Sequence, residues 1–247
     1  MKKRFKYFFL LIFLGIIGYL VYCNYTIRGT WIRTHEYNSS GNRVTFMSPS
    51  VVSFSTFEVQ TFEPDFERKF TSHSFLIIGK TILSNADFSA SHKIPIKHID
   101  SDSIVFKNAS STFVYRKVPD SLKEPYSVNF TNRLFEMKVQ NIVDTSYFTE
   151  KEIFVKSKTP RGYEWSNAQY GTASMNGFQF FGGDFGAVFA IKKFDNQYRM
   201  YGFSKDSISF VSVREIPMTP QIKKEVELAK ENVLKEREYY EQQLNKQ

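Results

Sequence analysis

The chain has one cysteine in 247 residues, Cys23, which excludes an internal disulfide framework and leaves burial to hold the fold together. No block of five or more Lys or Arg residues occurs after Lys6, and the later cations alternate with Asp and Glu. The formal net charge of +8, half of it carried by the first six residues, therefore builds no basic arm, and nucleic acid is not an expected partner. Gly-rich nucleotide loops leading into a helix, serine elbows and Cys–His pairs beyond Cys23 are all missing, so no catalytic constellation and no cofactor is expected. No sustained helical period appears before Thr219. Charge is also missing from Tyr7 to Cys23, and that absence is the most informative of all.

Residues 1–6 hold Lys2, Lys3, Arg4 and Lys6, and the apolar run that follows spans roughly 25 Å as a helix at about 1.5 Å per residue. Residues 7–23 read as a transmembrane signal anchor behind a basic cytoplasmic segment. A cleaved signal would carry a shorter apolar region and a small-x-small site, which Gly18–Asn24 lacks. Lipidation of Cys23 is the minor reading, because Tyr22 fits badly before a lipidated cysteine. Four cations precede the span and only Arg28 lies just beyond it, so the N-terminus is expected in the cytoplasm. The body is then periplasmic or extracellular, on a single-pass anchor in the cell membrane.

Between the anchor and Pro217 the dominant period is two, as in Gly29–His35, Val51–Phe62, Asp102–Phe106, Thr112–Arg116 and Leu134–Val139. Aromatic content of 17%, with 26 Phe and 14 Tyr, suits pleated surfaces, so the expected class is mostly β. The pattern also repeats. Ile96–Asp100 resembles Ile191–Asp195, Val114–Pro119 resembles Ser212–Pro217, and Thr26–Ile32 can be laid on Asn129–Phe135, at offsets of 95, 98 and 103. Two tandem small antiparallel barrels or sandwiches are therefore expected, over 25–119 and 126–217, each ended by a proline that cannot donate to a ladder. The boundary falls near Pro119–Pro125.

Gly29-Thr30-Trp31 opening the first strand, a run of short antiparallel strands, and Arg116 near the end of the last strand resemble the lipocalin-like domains of the calycin superfamily. The resemblance implies a structural role for Gly29 and Trp31, with Arg116 lying across the indole. Arg214 is the corresponding residue of the second copy, where Trp31 gives way to Leu134 or Phe135. It also implies an alternative function, binding of a small apolar ligand among Phe54, Phe57, Phe62, Phe75 and Phe106.

Thr219-Pro220 supplies a cap and a first-turn proline, and no Gly or Pro follows, so residues 219–247 read as one amphipathic helix. Its stripe is Ile222, Val226, Ala229, Val233, Tyr240 and Leu244, with Arg237 read as an interruption. Phe180–Ala187 reads as a hairpin turn and not as a nucleotide motif. His73, His92 and His98 lack the spacing of a metal site, and Glu63, Asp65 and Glu67 read as a solvated loop, so no metal is expected. The function expected is that of a membrane-anchored, non-enzymatic interaction or scaffold component of the cell envelope, with another envelope protein as its partner.

Overall fold

The computed structural model describes residues 2–44, 50–55, 58–62, 70–84, 93–107, 110–184 and 186–244, the side chains of residues 2–6, 70 and 71 excepted. Helix α1 covers Lys2–Thr26. Eight strands follow: β1 (Gly29–Asn38), β2 (Val51–Phe54), β3 (Glu58–Phe62), β4 (Phe70–Ile78), β5 (Thr81–Ser84), β6 (Lys93–Ile99), β7 (Ser103–Lys107) and β8 (Ser111–Lys117). Eight more make a second set: β9 (Leu134–Val139), β10 (Ile142–Phe148), β11 (Glu152–Thr159), β12 (Gly162–Met175), β13 (Phe178–Gly183), β14 (Val188–Phe194), β15 (Gln197–Phe203) and β16 (Ile208–Glu215). Helix α2 covers Pro220–Leu244. In each set every strand pairs with its chain neighbour, and the first and last close the ring, giving two closed antiparallel barrels. That up-and-down architecture is the one the lipocalin resemblance implies, and closure removes the edge strands that an open sheet would expose. The chain forms two units, one built on Met1–Ser121 and the other on Leu122–Gly202 with Ile208–Gln247. The division lies inside the proline-bracketed segment picked out by sequence.

Barrel 1 is filled by its own side chains. Trp31, Phe54, Phe75, Phe106 and Tyr115 project inward among Val52, Ile77, Ile82 and Ile104. The rings meet edge to face, Phe54 with Phe75 at 5.1 Å and Phe106 with Tyr115 at 5.3 Å between centroids, an arrangement worth about 0.5–1.5 kcal/mol per pair beyond burial. Eight strands leave an interior just wide enough for such side chains. The run Val51–Phe62 forms two strands and not one. Ser55 N–H donates to Glu58 O at 2.9 Å and its hydroxyl to the same oxygen at 3.1 Å, folding the run into a hairpin.

Barrel 2 uses the same plan with different residues. Phe130 lies 5.2 Å from Phe135, 5.0 Å from Phe148 and 5.5 Å from Tyr198, as the plug of a core that includes Tyr170, Phe181 and Val213. Two hydrogen bonds fix the correspondence: Val118 N–H donates to Thr30 O at 2.8 Å, and Ile216 N–H donates to Leu134 O at 3.0 Å. Trp31 pairs with Lys117 in barrel 1 as Phe135 pairs with Glu215 in barrel 2. The true counterpart of Trp31 is thus Phe135, one residue beyond the offset read from sequence for the first strand. The later offset holds, since Tyr115 and Val213 both face their cores.

Helix α1 ends inside barrel 1. Cys23 and Ile27 belong to its core, and Trp31 Nε1 donates to Ile27 O at 3.0 Å. Asn24, 1% exposed, accepts from Ile77 N–H at 3.2 Å and donates to Leu20 O at 2.8 Å. Strand β3 pairs with β4 only as far as Ser74, so the Asn24 side chain takes up a ladder donor that β3 leaves unmet. Tyr7–Thr26 is long and apolar enough to cross a membrane. The helix itself continues past Cys23 to Thr26, and its last turn packs on the barrel.

Candidate functional site

The residues singled out by sequence in barrel 1 are structural in their placement. Gly29 has a φ of +132°, and a Cβ there would stand 2.8 Å from Lys117 Cε. The cation over the indole is Lys117, whose Nζ lies 5.4 Å from the Trp31 ring. This corrects the expectation for Arg116. Arg116 sits between the inward-facing Tyr115 and Lys117, and the strand period of two turns it to the outer face. Arg214 likewise faces outward, donating to Glu136 Oε1 at 3.1 Å across β16 and β9. Phe54, Phe62, Phe75 and Phe106 are all buried, while Phe57 lies outside the described residues. Cys23 is buried against barrel 1.

His92, Glu63, Asp65 and Glu67 lie outside the described residues. His98 Nε2 is 2.8 Å from Asp100 Oδ2, and Asp100 also accepts from the N–H groups of Asp102 and Ser103 and from the Ser103 hydroxyl. Burial alone would raise the Asp100 pKa, but these donors outweigh it and hold the carboxyl well below its ordinary range. Such a carboxylate closes the β6–β7 turn. No group of three His, Cys, Asp or Glu side chains converges on a metal-sized space among the described residues.

The site with the richest geometry is a groove on the outer wall of barrel 2, where α2 crosses β11 and β12. Strand β12 is longer than β13, and Gly162–Gln169 pairs with β11 alone, so these two strands extend as an arm. Outward-facing positions on β11 are Glu152, Phe154 and Lys156, and their partners on β12 are Gln169, Asn167 and Trp165. Helix α2 meets them in order. Arg237 ion-pairs with Glu152, Ala229 and Val233 line one groove with Phe154, and Glu225 reaches Lys156 at 2.5 Å. Phe154 is 2% exposed although its chain neighbours Ile153 and Val155 face the core, which places its cover on the helix side. Lys230 Nζ completes the contact 4.8 Å above the Tyr147 ring.

Glu225 is the hub. Its Oε2 accepts from Lys156 and, at 3.3 Å, from Trp165 Nε1, while Oε1 accepts from Gln221. The hydrogen bond from Lys156 is the largest influence and draws the Glu225 pKa below its ordinary value, against a smaller opposing effect of burial. Lys156 also stands 5.8 Å from the Tyr163 ring and 6.0 Å from the Trp165 ring. The resulting groove measures about 710 Å³ and is lined by Tyr163, Trp165, Asn167, Leu228, Asn232 and Glu236, among others. Leu228 is 57% exposed and Tyr163 65%, so apolar surface is left open beside hydrogen-bonding groups. The groove thus sets apolar side chains beside hydrogen-bonding groups.

No family model and no curated protein sequence matches this chain. Among solved structures, a similarity is found to the DNA polymerase III beta subunit of Thermotoga maritima, at 12% identity and a TM-score of 0.17. It covers 78% of this chain and 58% of that one, so the chain spans less than two thirds of the length of the protein it matches. A superposition that weak leaves the function to be argued from the geometry of the two barrels and the groove.

Proposed function

We propose that this protein is a membrane-tethered, non-enzymatic interaction component of the cell envelope, held by α1 with its barrels outside the cytoplasm. The α2 groove of barrel 2 engages a segment of another envelope protein. One observation carries the reading: the barrel interiors are occupied by packed aromatic side chains, Phe54, Phe75 and Phe106 in one and Phe130, Phe148 and Phe181 in the other. The open recognition surface is therefore on the outside. The partner segment places an apolar side chain against Leu228 and Trp165 and hydrogen-bonds to Asn232 and Asn167. Photo-crosslinking from position 163, on the rim of the same groove, in intact membranes tests this. One stoichiometric neighbour, lost on Leu228→Asp, supports the reading; crosslinks only to lipid or to many proteins at random refute it.

A second reading, capture of a small apolar ligand, is favoured by one observation. Inward-facing Met137, Val155, Phe189 and Val211 of barrel 2 stay partly exposed, and the Ser146 hydroxyl is buried with no hydrogen-bond partner among the described residues. A lipid that co-purifies with the full chain and is expelled by Ser146→Leu supports that reading.

A further inference from the structure

The way α1 enters barrel 1 fixes how deep the barrel sits. The span Tyr7–Thr26 covers 20 residues, about 30 Å at 1.5 Å per residue, which is the thickness of a hydrocarbon core. Yet the inner face of its last two turns is already protein. Asn24 bonds Ile77, Cys23 is buried in the barrel core, and a Cβ on Gly79 would lie 3.6 Å from the Tyr19 hydroxyl. Tyr19 precedes Thr26 by seven residues, about 10 Å along the axis. On its other faces the helix stays apolar and uncovered to the end, with Val21, Tyr22 and Tyr25 all about half exposed or more. Lipid must reach Tyr25 on one side of the helix while the β4–β5 hairpin stands beside Tyr19 on the other.

We infer that the tip of this hairpin, Ile78-Gly79-Lys80, enters the boundary between headgroups and acyl chains alongside α1, so that barrel 1 is seated on the lipid surface. The tip has the chemistry for it. Ile78 is 48% exposed although its neighbour Ile77 is buried, and Lys80 is exposed on the next residue but one, an apolar side chain to enter and a cation to meet phosphate. The backbone is also prepared. Lys80 O accepts from Ile96 N–H at 2.8 Å, and Thr81 and Ile78 pair with each other across the turn. These pairings satisfy main-chain groups that a membrane boundary would otherwise penalise. A shift of α1 by one turn, about 5.4 Å, still leaves the tip at that boundary.

This inference rests on the anchor reading, and the test separates the two. The full chain, with Cys23→Ala and one new cysteine carrying an environment-sensitive fluorophore, is reconstituted into phosphatidylcholine–phosphatidylglycerol vesicles containing spin-labelled lipid. Ile12→Cys reports the span, Ile78→Cys the hairpin and Ser39→Cys the turn at the far end of β1. Quenching at position 78 of at least half that at position 12, with less than a tenth of it at position 39, is the expected result. Quenching at 12 with none at 78 overturns the inference and leaves the anchor standing; quenching at neither overturns both. Lys80→Cys repeats the measurement should Ile78→Cys fail to fold.

Discussion

Replacing Ile27, the residue that follows α1, by alanine tests how firmly the end of α1 is tied to barrel 1. Ile27 is 0% exposed, it plugs the core, and its carbonyl holds the Trp31 indole at 3.0 Å. Removing three buried carbons costs about 0.8 kcal/mol each in transfer energy, and the cavity left beneath a barrel wall that cannot collapse adds to it. The expected loss is about 3 kcal/mol, within the range of about 2–5 kcal/mol known for such truncations. Trp31 is the natural reporter, since Trp165, the other tryptophan, can be replaced by phenylalanine. In detergent micelles, urea unfolding of the full chain followed by Trp31 emission should shift its midpoint down by about 2 M, taking a denaturant slope of roughly 1.5 kcal/mol per molar. A shift below about 0.3 M would refute the reasoning, because it would mean that Ile27 and the helix end contribute nothing to the core.

Further substitutions are expected to behave as follows. Lys117→Met should alter Trp31 emission and cost about 0.5–2 kcal/mol in the same urea assay, whereas Arg116→Met should leave that emission unchanged. Gly29→Ala should cost about 1–3 kcal/mol by the same readout, from the strain of an L side chain at a φ of +132°, while the flexible end of Lys117 moves aside. Docking of α2 should be insensitive to pH from 8 to about 5 and weaken below. The Glu225 pKa is lowered in the folded state, so its contribution is present above the ordinary value of 4.5 and lost as pH falls through the lower folded value. Trp165 emission in a Trp31→Phe background reads that step, and Glu225→Gln should abolish it.

Fold class was legible because its signals are local. The period of two marks strands wherever one face is buried, and Thr219 caps α2 as its hydroxyl accepts from Ile222 N–H at 3.2 Å. The hairpin read at Phe180–Ala187 is the β13–β14 turn, with Gly186 at a φ of +68°. Register was less legible. Whether Leu134 or Phe135 replaces Trp31, and whether Arg116 or Lys117 covers the indole, both turn on a one-residue phase that only cross-strand pairing fixes. The groove was missed for a related reason. Arg237 looked like a break in an apolar stripe, but Glu225, Ala229, Val233 and Arg237 recur every four residues and meet alternating Lys156, Phe154 and Glu152 on β11. Ile222, Val226, Ala229 and Val233 do pack, while Tyr240 and Leu244 stay exposed on the end of α2. A charged residue belongs to a helix's contact stripe when the facing strand offers its counter-ion, even where, like Arg237, it stays about half exposed, and a single sequence gives no direct view of that pairing.

The central claim, an exported two-barrel body held by one helix, is tested most directly by labelling a Ser39→Cys, Cys23→Ala chain with a membrane-impermeant maleimide on intact cells or spheroplasts, followed by an alkaline carbonate wash. Labelling without lysis and retention in the washed membranes are the expected results. Labelling only after lysis, with the protein released by carbonate, would contradict the account.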